Sequence, residues 1–160
     1  MASPAEIRAY IEQQAKAAGL TPNDIRNLVA TAQIESSMGQ NVASPLSSAR
    51  GGFQFINSTG AKYGLNGKGF DDRLDYKRNI DAGIRFYKDN QRAMTPTLKK
   101  LGIPVDDATA NYMAHQQGVG GARKVYNAIG SGKPIEQVIG AKAAKNNAMT
   151  GKSVDEALSM

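Results

Sequence analysis

The sequence predicts a mostly α-helical protein, on the evidence of two observations. Helix start signals followed by apolar residues at helical spacing recur along the chain, and glycine-rich segments separate these stretches. The composition agrees, because 17 Gly, no Trp and 6% aromatic residues are typical of helices joined by glycine turns rather than of a β-sandwich. With 160 residues the chain can bury one core, so we expect one domain over residues 1–160.

The first two helices are predicted from their N-terminal signals. A capping box with proline at the first helical position begins at Ser3, and the same signal is repeated at Thr21. Apolar residues then recur at helical spacing, up to Gly19 in the first helix and to about Met38 in the second. These signals predict two consecutive amphipathic helices.

Loops and shorter helices are predicted for the rest of the chain. Residues 39–52 are rich in Gly, Asn, Ser and Pro, and a loop of this length in a small domain is more often functional than not. A second glycine-rich loop is expected at residues 64–69. Further helices are predicted at residues 53–63, 79–92, 95–101, 107–117, 121–129 and 134–145.

The charge of the chain narrows the choice of partners. There are 20 Lys and Arg against 14 Asp and Glu, a net charge of +6, which favours nucleic acid, anionic lipid or an anionic cell wall. The basic residues are spread over the whole chain and no recognition helix stands out, so we expect no nucleic-acid partner. Residues 131–160 are predicted as a basic helical extension of a core at about 20–130. This extension is either a solvated helix face with a fraying tail or an arm in transient contact with an anionic wall or membrane.

Several classes of site and segment are excluded. The absence of cysteine excludes a disulfide framework, a thiolate zinc site and a cysteine nucleophile. His115 is the only imidazole, which argues against a transition-metal site, and we expect neither a metal nor another cofactor. No stretch approaches 18 apolar residues, and the N-terminus lacks the apolar run of a secretory signal. We therefore expect a chain that is not exported on a signal of its own.

Glu35 is the candidate general acid. At 100° per residue, Leu28 and Ala32 define the core-facing arc of the second predicted helix, and Glu35 falls at its edge. Partial burial raises the pKa of a carboxyl group, as a general acid near neutral pH requires. Edge positions also hold many solvated Glu residues, so periodicity leaves both interpretations open.

Four motifs follow one another between about residues 22 and 128. They are Glu35-Ser36 at a helix end, Ala-Arg-Gly-Gly-Phe-Gln-Phe at 49–55, Asn-Ile-Asp-Ala-Gly at 79–83 and Ala-His-Gln-Gln-Gly-Val-Gly at 114–120. In order and spacing they resemble the lytic transglycosylases of the goose-lysozyme-like soluble (SLT) family, whose elements are Glu-Ser, Gly-Leu-Met-Gln, Asn-x-x-Ala-Gly and Ala-Tyr-Asn-Ala-Gly. The resemblance implies a lysozyme-like helical domain with long active-site loops.

The resemblance also implies roles for particular residues. Glu35 corresponds to the catalytic acid/base, and Ser36 to its motif partner, with a structural rather than a catalytic role. Phe53 and Gln54 correspond to the family's methionine and glutamine, which line the sugar groove.

The last motif departs from the family at two positions. His115 stands where the family usually has Tyr, and Gln116 where it has Asn. An imidazole can hydrogen-bond near the catalytic carboxylate or the N-acetyl group, although a partly buried histidine at a helix end is the alternative. Tyr112 and Tyr126 are candidates to stack on a sugar ring or to pack in the core. Both interpretations of these two tyrosines stay open. Arg123 and Lys124 either steer glycan strands or are solvated, and the choice between these roles stays open too.

The resemblance implies cleavage of the bond between N-acetylmuramic acid and N-acetylglucosamine by a single Glu, with a 1,6-anhydro product. Two carboxylates are usual in glycosidases. Asp71, Asp72 and Asp75 flank Arg73, so surface pairing or helix capping is expected for them, whereas one facing Glu35 would make the enzyme a hydrolytic muramidase.

The expected partner is the glycan strand of peptidoglycan, bound by a monomer. The small size, the basic charge and the missing signal suggest a bacteriophage enzyme, either an endolysin released through a holin or a lysin carried in the virion. The alternatives are a hydrolytic lysozyme on the same scaffold and a non-catalytic basic module that binds the wall or nucleic acid.

Overall fold

A computed structural model describes residues 2–160, and it confirms the mostly α-helical fold. The described chain divides into two compact units, the first ending at Lys88 and the second spanning Asp89–Met160. No helix in the described part combines the length and the apolar character that a membrane span requires. The elements are α1 (Pro4–Ala17), α2 (Pro22–Ser36), α3 (Asn57–Lys62), β1 (Asn66–Gly67), β2 (Phe70–Asp71), α4 (Tyr76–Leu101), α5 (Ala108–Asn127), α6 (Ile135–Ile139), α7 (Ala141–Asn146) and α8 (Val154–Leu158).

The first unit is built on α1 and α2, whose predicted caps are confirmed. The Ser3 hydroxyl accepts the backbone N–H of Glu6, and the Thr21 hydroxyl accepts that of Asp24. The Glu6 and Asp24 carboxylates accept the backbone N–H of the cap residues in return, which completes each capping box. The left-handed Ser37, with φ of 51°, ends α2. The core of this unit consists of residues from α1, α2, the 53–65 segment and the first half of α4, among them Ile11, Leu28, Phe53, Leu65 and Ile80.

The second unit has a separate core that includes the C-terminal segment. Met94 and Leu98 of α4 pack with residues of α5, and the segment after residue 134 contributes five more buried apolar side chains. Residues 131–160 therefore fold as part of this unit and are not a fraying tail. The five side chains are those of Ile135, Ala144, Met149, Val154 and Ala157.

Several predicted boundaries differ from the structure. The helix expected at 53–63 begins only at Asn57, because residues 51–54 form a turn that a two-way backbone pairing of Arg50 with Phe55 closes. The loop expected at 64–69 contains β1, which pairs with β2 directly after the loop. The helix expected at 134–145 is divided at Gly140, whose φ is 91°.

The helices expected at 79–92 and 95–101 form one continuous helix, α4. Pro96 lies inside it and removes one backbone hydrogen bond, which would favour a break. Met94 and Leu98 on either side of the proline are each 1% exposed, so burial of this face keeps the helix continuous.

Candidate active site

Glu35 lies half-buried in the last turn of α2. This position agrees with its predicted place at the edge of the core-facing arc. The side chain is thus partly withdrawn from solvent, directly before Ser36 at the end of the helix.

Ser36 fixes the end of α2 to the following loop. Its side chain is 1% exposed, and its Oγ lies 2.7 Å from the carbonyl oxygen of Gly52 and 3.1 Å from that of Ala32. The same Oγ accepts a hydrogen bond of 2.8 Å from the backbone N–H of Gly39. These contacts give Ser36 a structural place beside Glu35.

Asn79, at the start of α4, holds the same loop from the other side. Its side chain is 0% exposed, and its Oδ1 accepts the backbone N–H of Phe53 at 2.9 Å. Its Nδ2 donates to the carbonyl oxygens of Arg73, at 2.9 Å, and Arg50, at 3.3 Å. A Cβ at Gly51 would lie 2.0 Å from this Nδ2, so the motif needs glycine there.

Phe53 and Gly83 bring the second and third motifs into contact. A Cβ at Gly83 would lie 2.4 Å from the Cδ2 of Phe53, so the ring packs directly on the α4 backbone. The ring is 1% exposed. Phe53 is therefore a core residue that supports the loop, and the expected lining of a sugar groove by its ring is not what the structure shows.

Gln54 is half-buried in the turn that precedes α3. Its φ of 53° is left-handed, an uncommon conformation for a residue with a side chain. Its Nε2 donates to the carbonyl oxygens of Gly51, at 2.8 Å, and Val42, at 3.2 Å. These bonds orient the amide and hold it against the 39–52 loop.

Arg73 is a buried cation beneath this loop, and the sequence prediction gave it no role beyond pairing. It is 5% exposed, and its Nη1 donates to the carbonyl oxygens of Ser48, at 2.6 Å, and Phe55, at 2.9 Å. Its Nη2 lies 2.7 Å from the Oδ2 of Asp71. Hydrogen bonds from Arg73 lower the pKa of Asp71 to about 2, and the carboxylate in turn raises the pKa of Arg73.

The other acidic residues of this region are paired or cap a helix, as predicted. Asp72 forms an ion pair with Arg78. Asp75 accepts the backbone N–H of Arg78 at 3.1 Å and so caps α4. Asp81 accepts the hydroxyl of Tyr10 with both carboxylate oxygens, at 3.1 Å each.

The remaining candidates lie on α5, in the second unit. Tyr112, His115 and Gln116 are all half-buried. The Tyr112 and His115 rings are stacked, with centroids 6.3 Å apart and planes 12° apart. Gly118, with φ of 74° and ψ of 162°, interrupts the helix directly after them. The structure thus groups these three residues at a kink, and it groups Glu35, Phe53 and Gln54 in the first unit.

Tyr126 is 3% exposed, and burial raises the pKa of its hydroxyl. The core interpretation of this residue is therefore the one that the structure supports.

Sequence motifs could have indicated Asn79 and Gly83, because both belong to the third motif. The role of Arg73 has no such signal, since its partners are backbone carbonyls distant in the chain. Within residues 2–160, no three acidic or imidazole side chains are arranged to hold a metal ion.

Comparison with known proteins agrees with this arrangement of motifs. The model of the family described as Transglycosylase SLT domain matches residues 9–133, more than three quarters of the chain. No individual curated protein matches the chain. Members of the matching family are lytic transglycosylases, for which peptidoglycan is the substrate. The chain belongs to the SLT transglycosylase family.

Proposed function

We propose that this protein cleaves the β-1,4 bond between N-acetylmuramic acid and N-acetylglucosamine, with Glu35 as its single acid/base. The observation that carries the proposal is the framework at the end of α2. The Oγ of Ser36 donates to the carbonyl oxygen of Gly52, and the Oδ1 of Asn79 accepts the backbone N–H of Phe53. The two side chains thus hold neighbouring residues of one loop. A rigid support of this kind fixes a catalytic group relative to its neighbours.

The proposed reaction has two proton transfers. The protonated carboxyl group of Glu35 donates its proton to the bridging oxygen, and the bond from that oxygen to the anomeric carbon breaks. The 2-acetamido group of the sugar stabilises the resulting cation. The Glu35 carboxylate then accepts the proton of the sugar's own 6-hydroxyl, whose oxygen bonds to the anomeric carbon. This step closes the 1,6-anhydro ring, consumes no water and restores the acid.

The other residues are proposed to bind substrate or to support the loop. Gln54, His115 and Gln116 keep the substrate-binding roles that the family resemblance implies, and Tyr112, stacked on His115, is proposed to contact a sugar ring. Phe53 is assigned to support, because its ring is buried against Gly83.

Product analysis tests this proposal. Purified peptidoglycan is digested, and the released muropeptides are analysed by mass spectrometry. We expect products that are lighter by one water than hydrolysis products and that lack a reducing end. Glu35→Gln is expected to lower the rate by about 10²-fold or more, because the amide cannot donate or accept the proton.

Glu12→Gln is the matched control, because Glu12 is an exposed residue of α1 that forms an ion pair with Arg8. It should leave the rate unchanged, and circular dichroism should show that both variants fold. Reducing ends in the products would identify a hydrolase and contradict the proposal. The absence of any soluble product would favour the non-catalytic binding module.

We also propose that the enzyme acts in phage-mediated lysis or wall penetration, as a monomer. The net charge of +6 suits an anionic wall. Expression in a bacterial host with and without a holin tests the route: lysis that requires the holin supports release from the cytoplasm. Lysis without it would contradict that route.

A further inference from the structure

A cavity of about 530 Å³ opens in the second unit, where α5 ends. Its walls are the last turns of α5, the loop that follows and α6. This volume lies within the range of small-ligand sites in proteins. None of the residues to which we assign catalysis or sugar binding lines it.

The cavity is positively charged. Lys124 on α5 and Lys133 in the loop line it, and no carboxylate does. Neither ammonium group forms an ion pair with any residue between 2 and 160. Two cations that lack a carboxylate partner create a local field that attracts an anion.

Two acidic side chains of the second unit, those of Glu136 and Asp155, are bound to backbone groups. Glu136 accepts the N–H of Gly151 at 2.7 Å, and Asp155 accepts the N–H of Gly130 at 3.2 Å. The two carboxylates thus stabilise the loops on either side, and among the described residues neither forms an ion pair with Lys124 or Lys133.

The rest of the lining suits a small organic anion. The side-chain amides of Asn127 and Gln137 make no hydrogen bond with any described residue, so they can bind a ligand. The hydroxyl of Ser131 accepts the N–H of Lys133 at 3.2 Å, which leaves its proton to donate. Ala128 and Val138 add a small apolar surface, the size of a methyl-bearing residue.

Backbone hydrogen bonds hold the walls of the cavity in place. The backbone N–H of Ile135 donates to the carbonyl oxygen of Lys152 at 2.8 Å, and the N–H of Val154 donates to the carbonyl oxygen of Lys133 at 3.0 Å. Ile135 itself is 0% exposed in the core of the unit. A preformed wall lowers the ordering cost of binding.

We propose that this cavity binds a carboxylate of the short peptide that branches from the peptidoglycan glycan strand. The peptide is acidic and rich in alanine, which matches two lysines beside a small apolar surface. An anionic membrane is a poorer match, because lipid-binding surfaces usually carry four to eight basic residues. This inference rests on the proposed function and names a second contact of the enzyme with the same substrate.

Titration of the full chain with a synthetic peptide, N-acetyl-L-Ala-γ-D-Glu-L-Lys-D-Ala, whose blocked N-terminus leaves a net negative charge, tests the proposal by calorimetry. The double variant Lys124→Gln/Lys133→Gln should weaken binding about tenfold, the sum of two partly exposed charge pairs. Lys142→Gln/Lys145→Gln removes the same charge from exposed positions on α7 and should leave affinity within about twofold. The peptide with its carboxylates amidated should bind about tenfold more weakly than the free acid to the unmodified chain.

Three results would overturn the proposal: equal weakening by both double variants, equal binding of the amidated peptide, or no binding of the free acid. Binding to vesicles of phosphatidylglycerol tests a lipid as the occupant instead. If the Lys124→Gln/Lys133→Gln variant lost vesicle binding but bound the peptide as tightly as the unmodified chain, the proposal would also be overturned. Binding of the free peptide requires no cleavage. Failure of this proposal is therefore distinguishable from failure of the transglycosylase proposal, which the muropeptide products decide.

Discussion

Arg73 shows how one buried cation can organise a loop. Its guanidinium binds two loop carbonyls and the Asp71 carboxylate, and it is 5% exposed. A buried charge needs such partners, because removal of any one of them leaves an uncompensated group. The pairing of Asp71 could be predicted from adjacency in the sequence. The carbonyl partners could not, because they depend on the turn at residues 51–54.

The Asp71 pairing predicts a pH dependence of stability. The pKa of Asp71 is lowered to about 2, from an ordinary value near 4. The ionised carboxylate therefore stabilises the fold above about pH 4, and this stabilisation is lost as the pH falls toward 2. Asp71→Asn should therefore lower Tm at pH 7, and the difference from the unmodified chain should narrow between pH 4 and pH 2. Thermal unfolding followed by circular dichroism measures both. Asp89→Asn, which removes an exposed carboxylate 3.6 Å from Arg92, is the control with a small effect at either pH.

At the scale of elements, the helix start signals in the sequence predicted the structure correctly. The capping boxes at Ser3 and Thr21 predicted the starts of α1 and α2, because the signal and the structure it stabilises lie within four residues. The failures are at positions that tertiary contacts decide. Two helices were predicted at 79–92 and 95–101 where burial of one face keeps α4 continuous, and Phe53 was predicted to begin a helix although its backbone is held by Asn79.

The contact between α4 and the Phe53 ring predicts opposite effects at two helical glycines. Gly83→Ala should destabilise the protein by about 1–3 kcal/mol, because the new Cβ would overlap the ring. Gly120→Ala should stabilise it by about 0.5–1 kcal/mol, because a Cβ there meets nothing within 4 Å and alanine favours the helix. Urea unfolding gives both free energies. Equal effects of the two substitutions would contradict the packing described for Phe53.

At the scale of the whole molecule, the second core extends beyond the part of the chain that the family shares. The family match ends at residue 133, whereas buried residues of the second unit continue to Ala157. The sequence predicts this segment as basic and helical but not its burial, because its apolar residues are divided among short elements. Burial here comes from short helices that pack together, which no single helical stripe reveals.

Removal of residues 134–160 should therefore unfold the second unit. Ile135, Met149 and Val154 are each at most 5% exposed, and each such side chain contributes about 1.5–3 kcal/mol. Their sum approaches the total stability of a typical small domain, about 5–15 kcal/mol. Thermal unfolding should show a lost or strongly lowered transition. Removal of Ser159 and Met160 alone, which are exposed, should not change it.

The 39–52 loop offers a means of observing the enzyme at work. Leu46 is 94% exposed at its tip, while the guanidinium of Arg50 holds the carbonyls of Ser47 and Ala49 at 2.8 and 2.7 Å. The chain contains no cysteine. A thiol introduced at position 46 would thus be unique, and a fluorophore attached to it would show whether added glycan changes the surroundings of the loop, without altering the contacts that shape it.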